Sequence, residues 1–275
     1  STSCMRLFQM SNIADQTTHK KRFSTLSIIN SPKISRQALI VILISCISLV
    51  CIRYLTPFNE LTKLLELLRL ESVAQMLRDF RSGSQSQQLF DLIYWTLCRI
   101  LFYLFIPVIT ILIILKKPLS AFGWKGSGNI KKDIKLFFLF FCFMIPVVYF
   151  ASTQDSFQIK YPFYRPHNGS DIWPNLIIWE FFYFLQFISL EFFFRGFMVH
   201  GTKHDVGDYS VLFMVIPYCM IHFQKPFLET IGAIFAGIIL GYISLRKGSI
   251  YTGIALHFGV AIIMDAFALY HQGFL

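Results

Sequence analysis

Apolar runs close to twenty residues long recur along this chain, and a run of that length has few ways to fold. A bilayer core about 30 Å thick takes about 20 apolar residues of helix to cross, and its interior offers no water to backbone N–H and C=O groups. Only structures that pair every such group internally survive there, and for runs of this length that means helices. Seven runs meet the pattern, at residues 38–55, 92–115, 136–152, 176–199, 209–223, 230–245 and 250–269. The expected fold is therefore all-α, a polytopic transmembrane helix bundle of about seven spans. Charge supports this: 15% of the 275 residues are Asp, Glu, Lys or Arg, against about 25% in a soluble domain.

The charges that remain are mostly basic and lie between spans. Arg6, Lys20, Lys21, Arg22, Lys33 and Arg36 crowd the first 36 residues, and Lys116, Lys117, Lys125, Lys131, Lys132 and Lys135 follow the second run. In a membrane protein such clusters mark loops held at an anionic cytoplasmic leaflet, so the lipid bilayer is the expected partner and a nucleic acid is not. Residues 1–36 read as a basic, disordered cytoplasmic tail and residues 37–275 as the transmembrane helical domain. The amino terminus is expected inside, in a multi-pass protein of a bacterial plasma membrane. Residues 59–81 alternate Leu61, Leu64, Leu65, Leu68, Met76, Leu77 and Phe80 with charged residues at helical spacing, which predicts one amphipathic helix lying in the interface. The six cysteines include no Cys-x-x-Cys pair, so neither a disulfide framework nor a metal site is expected from them.

Ionisable residues inside spans are costly and face a partner or a wet cavity. Away from helix ends, the first half of the chain offers only Asp91 and Arg99, whereas the second half holds Glu191, Arg195, His222, His257 and Asp265, with Tyr218 and Gln186 as polar neighbours. Glu191 and Arg195 are four residues apart and stack on one helix face. Three readings fit these residues. A carboxylate among phenylalanines beside an arginine can act as general base toward water, with imidazoles binding the oxyanion of a peptide intermediate. Two His and one Glu also form a zinc ligand set with an open fourth position, but the spacing is not His-Glu-x-x-His, so no cofactor or metal is expected from it. The third reading is an intrahelical ion pair with packed histidines and no chemistry.

Three segments resemble, in order and spacing, the motifs of the CAAX protease and bacteriocin-processing (CPBP, or Abi) family of intramembrane glutamic endopeptidases. They are Glu191-Phe192-Phe193-Phe194-Arg195-Gly196, Tyr218-Cys219-Met220-Ile221-His222 and His257-Phe258-Gly259-Val260-Ala261, against Glu-Glu-x-x-x-Arg, Phe-x-x-x-His and His-x-x-x-Asn. The resemblance implies a catalytic core at about residues 176–270 and an endopeptidase acting on a peptide or membrane-protein substrate. It assigns Glu191 as base, His222 and His257 as oxyanion ligands and Arg195 as the group fixing the carboxylate, with Tyr218 and Asp265 in support. The chain departs from the pattern twice. Leu190 stands where the family has its first glutamate, the water-activating base, and Ala261 stands where it has a polar residue. These departures keep open a second reading, a catalytically impaired relative acting as a membrane binding or immunity-type scaffold.

Overall fold

The structure is a computed structural model that describes residues 34–84, 86–166 and 172–275. The tail read at 1–36 lies outside these residues apart from 34–36. Among the described residues there are helices and turns but no strand. Arg36–Leu275 forms one compact unit, whose described residues include the helices α1 (Arg36–Leu55), α2 (Phe58–Leu67), α3 (Glu71–Ser82), α4 (Gln87–Ile114), α5 (Ile130–Ser152), α6 (Asp155–Lys160), α7 (Asn175–Val206), α8 (Tyr209–Met220), α9 (Phe227–Lys247) and α10 (Tyr251–His271), with a 3-10 turn at Leu119–Phe122.

Six of these, α1, α4, α5, α7, α9 and α10, are long and apolar enough to cross a membrane. The helices turn their faces as lipid demands. In α1, Ala38, Val41, Ser45, Ser48 and Ile52 are buried, while Leu39, Leu43, Ile47, Val50 and Tyr54 are exposed. Small and hydroxyl side chains let neighbouring helices approach, and the large aliphatic ones meet acyl chains at no cost.

The fifth predicted span, 209–223, is the exception. α8 is 12 residues long, about 18 Å at 1.5 Å per residue, too short to cross alone. Pro217 lies inside it, and a proline ring removes one helical N–H and crowds the preceding turn. The chain then leaves the helix and completes the passage in turns at 221–225 before Pro226 opens α9. Irregular backbone at this depth is tolerated where protein or a polar cavity surrounds it. Here Thr230 Oγ1 donates to the carbonyl of His222 at 2.7 Å, and the amide of Lys225 donates to the same oxygen at 2.9 Å.

The amphipathic segment is also two helices rather than one. α2 and α3 are broken at Leu68–Leu70, where Arg69 takes a φ of 60°. A left-handed residue costs a non-glycine side chain about 1 kcal/mol or more, so the hydrophobic spacing gave no warning of the break.

Two spans carry π-helical turns. In α4 they lie at Leu101–Phe105 and Thr110–Ile114, on either side of Pro107. Pro107 lacks the N–H that an α-helical turn would use, and interruptions of this kind accompany proline in helices. In α7 the π segment is Phe192–His200, running through the first motif. It holds Phe192, Phe193, Phe194 and Phe197, all wholly buried, and the wider turn spreads these rings around the helix.

Candidate active site

Glu191 is the last α-helical residue before the π segment of α7 and is fully buried. One carboxylate oxygen, Oε1, meets two groups: Arg195 Nη1 at 3.0 Å, one turn on, and His257 Nδ1 at 2.8 Å, from α10. The carboxylate can only accept, so Nδ1 carries the proton and Nε2 faces away from the pair. His257 is the exposed member, its side chain retaining 19% accessibility against 0% for Glu191. Oε2 rests against α10 where that helix has no side chain: a Cβ built on Gly253 would lie 2.4 Å from it. Gly253 is one turn before His257, so the helix that supplies the imidazole also leaves room for the acid.

Arg195, also fully buried, lays its guanidinium over the ring of Tyr218, with Cζ 4.0 Å from the centroid. This places α8 against α7 at the motif. The Tyr218 ring in turn lies 4.8 Å from the ring of His222 and 6.3 Å from that of His257. Gly237 on α9 makes the approach possible, since a Cβ there would stand 3.0 Å from Tyr218 Cδ1. Phe187, one turn before Glu191, closes the other side of His257 at 4.5 Å between ring centroids.

His222 lies in the turn after α8. Its Nδ1 is 2.7 Å from the carbonyl of Tyr218, which accepts only, so Nδ1–H donates and Nε2 presents a lone pair. The imidazole is buried.

Simple counting along the spans would put His222 well past the depth of Glu191. The helices remove that mismatch: α7 runs unbroken for 32 residues to Val206, and His200 Nε2 meets Ser244 Oγ on α9 at 3.1 Å. The start of α8 therefore lies beyond that level, and His222 comes back to the height of the acid. Glu191, Arg195, Tyr218, His222 and His257 share one site.

Asp265 is placed elsewhere. Its Oδ2 accepts from Trp179 Nε1 at 3.3 Å, and the Glu180 carboxyl group lies beside it. Eight residues separate it from His257, about 12 Å along the helix, so its partners are on α7 and not the imidazole. Leu190 is buried with Phe192, Phe193 and Phe194, and Ala261 packs with Trp179, Tyr183 and Phe187. Among the described residues no three His, Cys, Asp or Glu side chains converge as a ligand set for a metal ion. Sequence reasoning did not single out Gly253 or Phe187. The one available signal was that Gly253 precedes His257 by a single helical turn.

The structure thus gathers an acid, an arginine and two imidazoles inside a helical bundle of which six helices are long and apolar enough to cross a membrane. Residues 172–263 match the sequence model of the Rce1-like family, described as type II CAAX prenyl endopeptidase Rce1-like, and this stretch contains all three motifs. The resemblance to the CAAX protease family is thereby borne out over that segment. No curated protein and no solved structure gives a significant match.

Proposed function

We propose that this chain is a membrane-embedded endopeptidase of the CAAX type, hydrolysing a peptide or membrane-protein substrate with a water molecule activated at His257. The observation that carries the reading is the 2.8 Å contact between His257 Nδ1 and Glu191. Because Glu191 is wholly buried and one of its oxygens already meets both Arg195 and His257, the carboxylate works through the imidazole. It fixes the tautomer and ring orientation and stabilises the imidazolium that forms when Nε2 takes a proton. His222, with Nδ1 held by the Tyr218 carbonyl and its lone pair on Nε2, orients the same water. Hydroxide adds to the peptide carbonyl, and His257 then returns the proton to the departing amine. Arg195 keeps the carboxylate ionised in a setting that would otherwise neutralise it. No metal or cofactor takes part. The basic loops keep the Lys125 end of the bundle at the cytoplasmic leaflet, which puts the amino terminus inside.

A second reading, a binding scaffold with weakened catalysis, is favoured by Leu190 and Ala261, apolar residues packed where the family carries polar ones. Losing one oxyanion donor costs about a hundredfold or more in rate.

The purified protein in lipid nanodiscs is offered a quenched fluorescent peptide from a prenylated carboxyl-terminal sequence. Hydrolysis that His257→Ala and Glu191→Gln each reduce at least a hundredfold supports the enzyme. Cleavage indifferent to both substitutions overturns it. Binding without hydrolysis by the unaltered protein selects the scaffold.

A further inference from the structure

α9 carries none of the three motifs, yet it touches two of them at the main chain. Thr230, Gly237, Gly241 and Ser244 recur at spacings of seven, four and three residues, so they share one face of the helix. The ends of that face are hydroxyls and its middle is bare. At one end Thr230 Oγ1 donates to the carbonyl of His222 at 2.7 Å. At the other, Ser244 Oγ donates to the carbonyl of Arg195 at 3.4 Å. Between them Gly237 admits the Tyr218 ring, and a Cβ on Gly241 would stand 2.6 Å from Val211 Cγ1, so α8 lies directly against this face.

A buried histidine that the hydrolytic step does not use fixes the direction of the Ser244 bond. His200 closes the π segment of α7 and is 2% exposed. Lys203 Nζ lies 3.1 Å from its Nδ1, and an ammonium only donates, so Nδ1 accepts and the ring proton sits on Nε2. Nε2–H then donates to Ser244 Oγ at 3.1 Å, which leaves the hydroxyl hydrogen for Arg195. Lys203, His200, Ser244 and the Arg195 carbonyl form one chain in which every donor meets an acceptor. Gly123 closes the side of the ring, since a Cβ there would meet Cδ2 and Nε2 at 3.2 Å. The two segments that α9 holds, the π turn and the turn after α8, are irregular backbone, which ordinary helical pairing does not keep in register.

We infer that Thr230 and Ser244 are positioning residues, which together set the separation of His222 from the Glu191–Arg195 pair. Their hydroxyls are fourteen residues apart on α9, about 21 Å at 1.5 Å per residue, and a fully paired helix is a stiff spacer over that length. The Arg195 and His222 side chains meet at the Tyr218 ring, with Cζ 4.0 Å from its centroid and the imidazole ring 4.8 Å from it. Where the two anchors stand therefore governs where the two groups meet. The inference rests on the hydrolase reading for its effect on rate, while the anchors themselves do not depend on it.

The test compares Thr230→Val and Ser244→Ala with the unaltered chain in nanodiscs. Thr230→Ser restores one hydroxyl, and Gly232→Ala, whose methyl would meet nothing within 4 Å, is the control on the same helix. Amide exchange read by mass spectrometry is expected to rise at residues 221–225 in Thr230→Val and at 192–200 in Ser244→Ala, each without the other, and at neither in Gly232→Ala. On the quenched peptide each loss of a hydroxyl should lower kcat about tenfold with KM within about twofold. That lies between the worth of one hydrogen bond and the about hundredfold cost of misplacing a catalytic group by about 1 Å. Thr230→Ser should recover most of the rate. Exchange that stays unchanged, or that rises equally over the whole chain, overturns the anchors. A kcat within about twofold of the unaltered enzyme, a loss that falls on KM instead, or a Thr230→Ser variant as slow as Thr230→Val overturns the positioning role. Segment-specific exchange in a protein that cleaves nothing supports the anchors and refutes the hydrolase, so the two fail separately.

Discussion

Gly253→Ala is the smallest change that tests whether Glu191 and His257 act as one unit. The added methyl would sit 2.4 Å from Glu191 Oε2, against an ordinary carbon–oxygen contact of about 3.4 Å. The obstacle is a carboxylate pinned by Arg195 and His257, flanked by fully buried phenylalanines, so it has no free rotamer to adopt. A displacement of about 1 Å is needed, and that stretches the 2.8 Å contact to His257 past the limit of a hydrogen bond. Misplacing catalytic groups by 1 Å costs about a hundredfold in rate, equivalent to about 2.7 kcal/mol of transition-state free energy. The assay is kcat/KM on the quenched peptide, with thermal unfolding in nanodiscs as a check on the fold. A companion variant separates crowding from unrelated damage. Glu191→Asp shortens the acid by one methylene and makes room for the methyl, so Gly253→Ala should cost less than tenfold in that background. A Gly253→Ala enzyme within threefold of full activity, or a loss identical in both backgrounds, refutes the reasoning.

One further expectation follows from buried charge. Arg195→Met strips the buried Glu191 of its cation, and breaking such a pair costs about 3–5 kcal/mol; chemical denaturation should show it, and Glu191→Gln in the same chain should restore part of the loss.

The spans and the site were legible in the sequence for the same reason. Lipid forbids unpaired polar groups, so apolar runs give helices and the few ionisable residues within them give the site. Glu191, Arg195, His222 and His257 could be picked out because each is expensive where it sits. Gly253 was not legible, because its role is to be absent from a space that Glu191 occupies, and only the approach of α10 to α7 defines that space. The short α8 was hidden by an apolar run that continues through Ile221 and Phe223 although the helix has ended. The π segment was hidden because hydrophobic spacing is read on an α-helical wheel, whereas Phe192–His200 is wound more loosely. Asp265 shares the helix of His257, and only the positions of Trp179 and Glu180 on the neighbouring helix reveal which group it serves.

The abbreviated α8 has a consequence for the surrounding lipid. Its outer face, with Phe213, Ile216, Met220 and Phe223 exposed, offers acyl tails a shorter hydrophobic wall than the full-length helices do. Lipid on that flank must compress to match, at a fraction of a kcal/mol per ångström. Short-chain phospholipids relieve this compression and long-chain ones aggravate it, so the melting temperature should decline as acyl length grows.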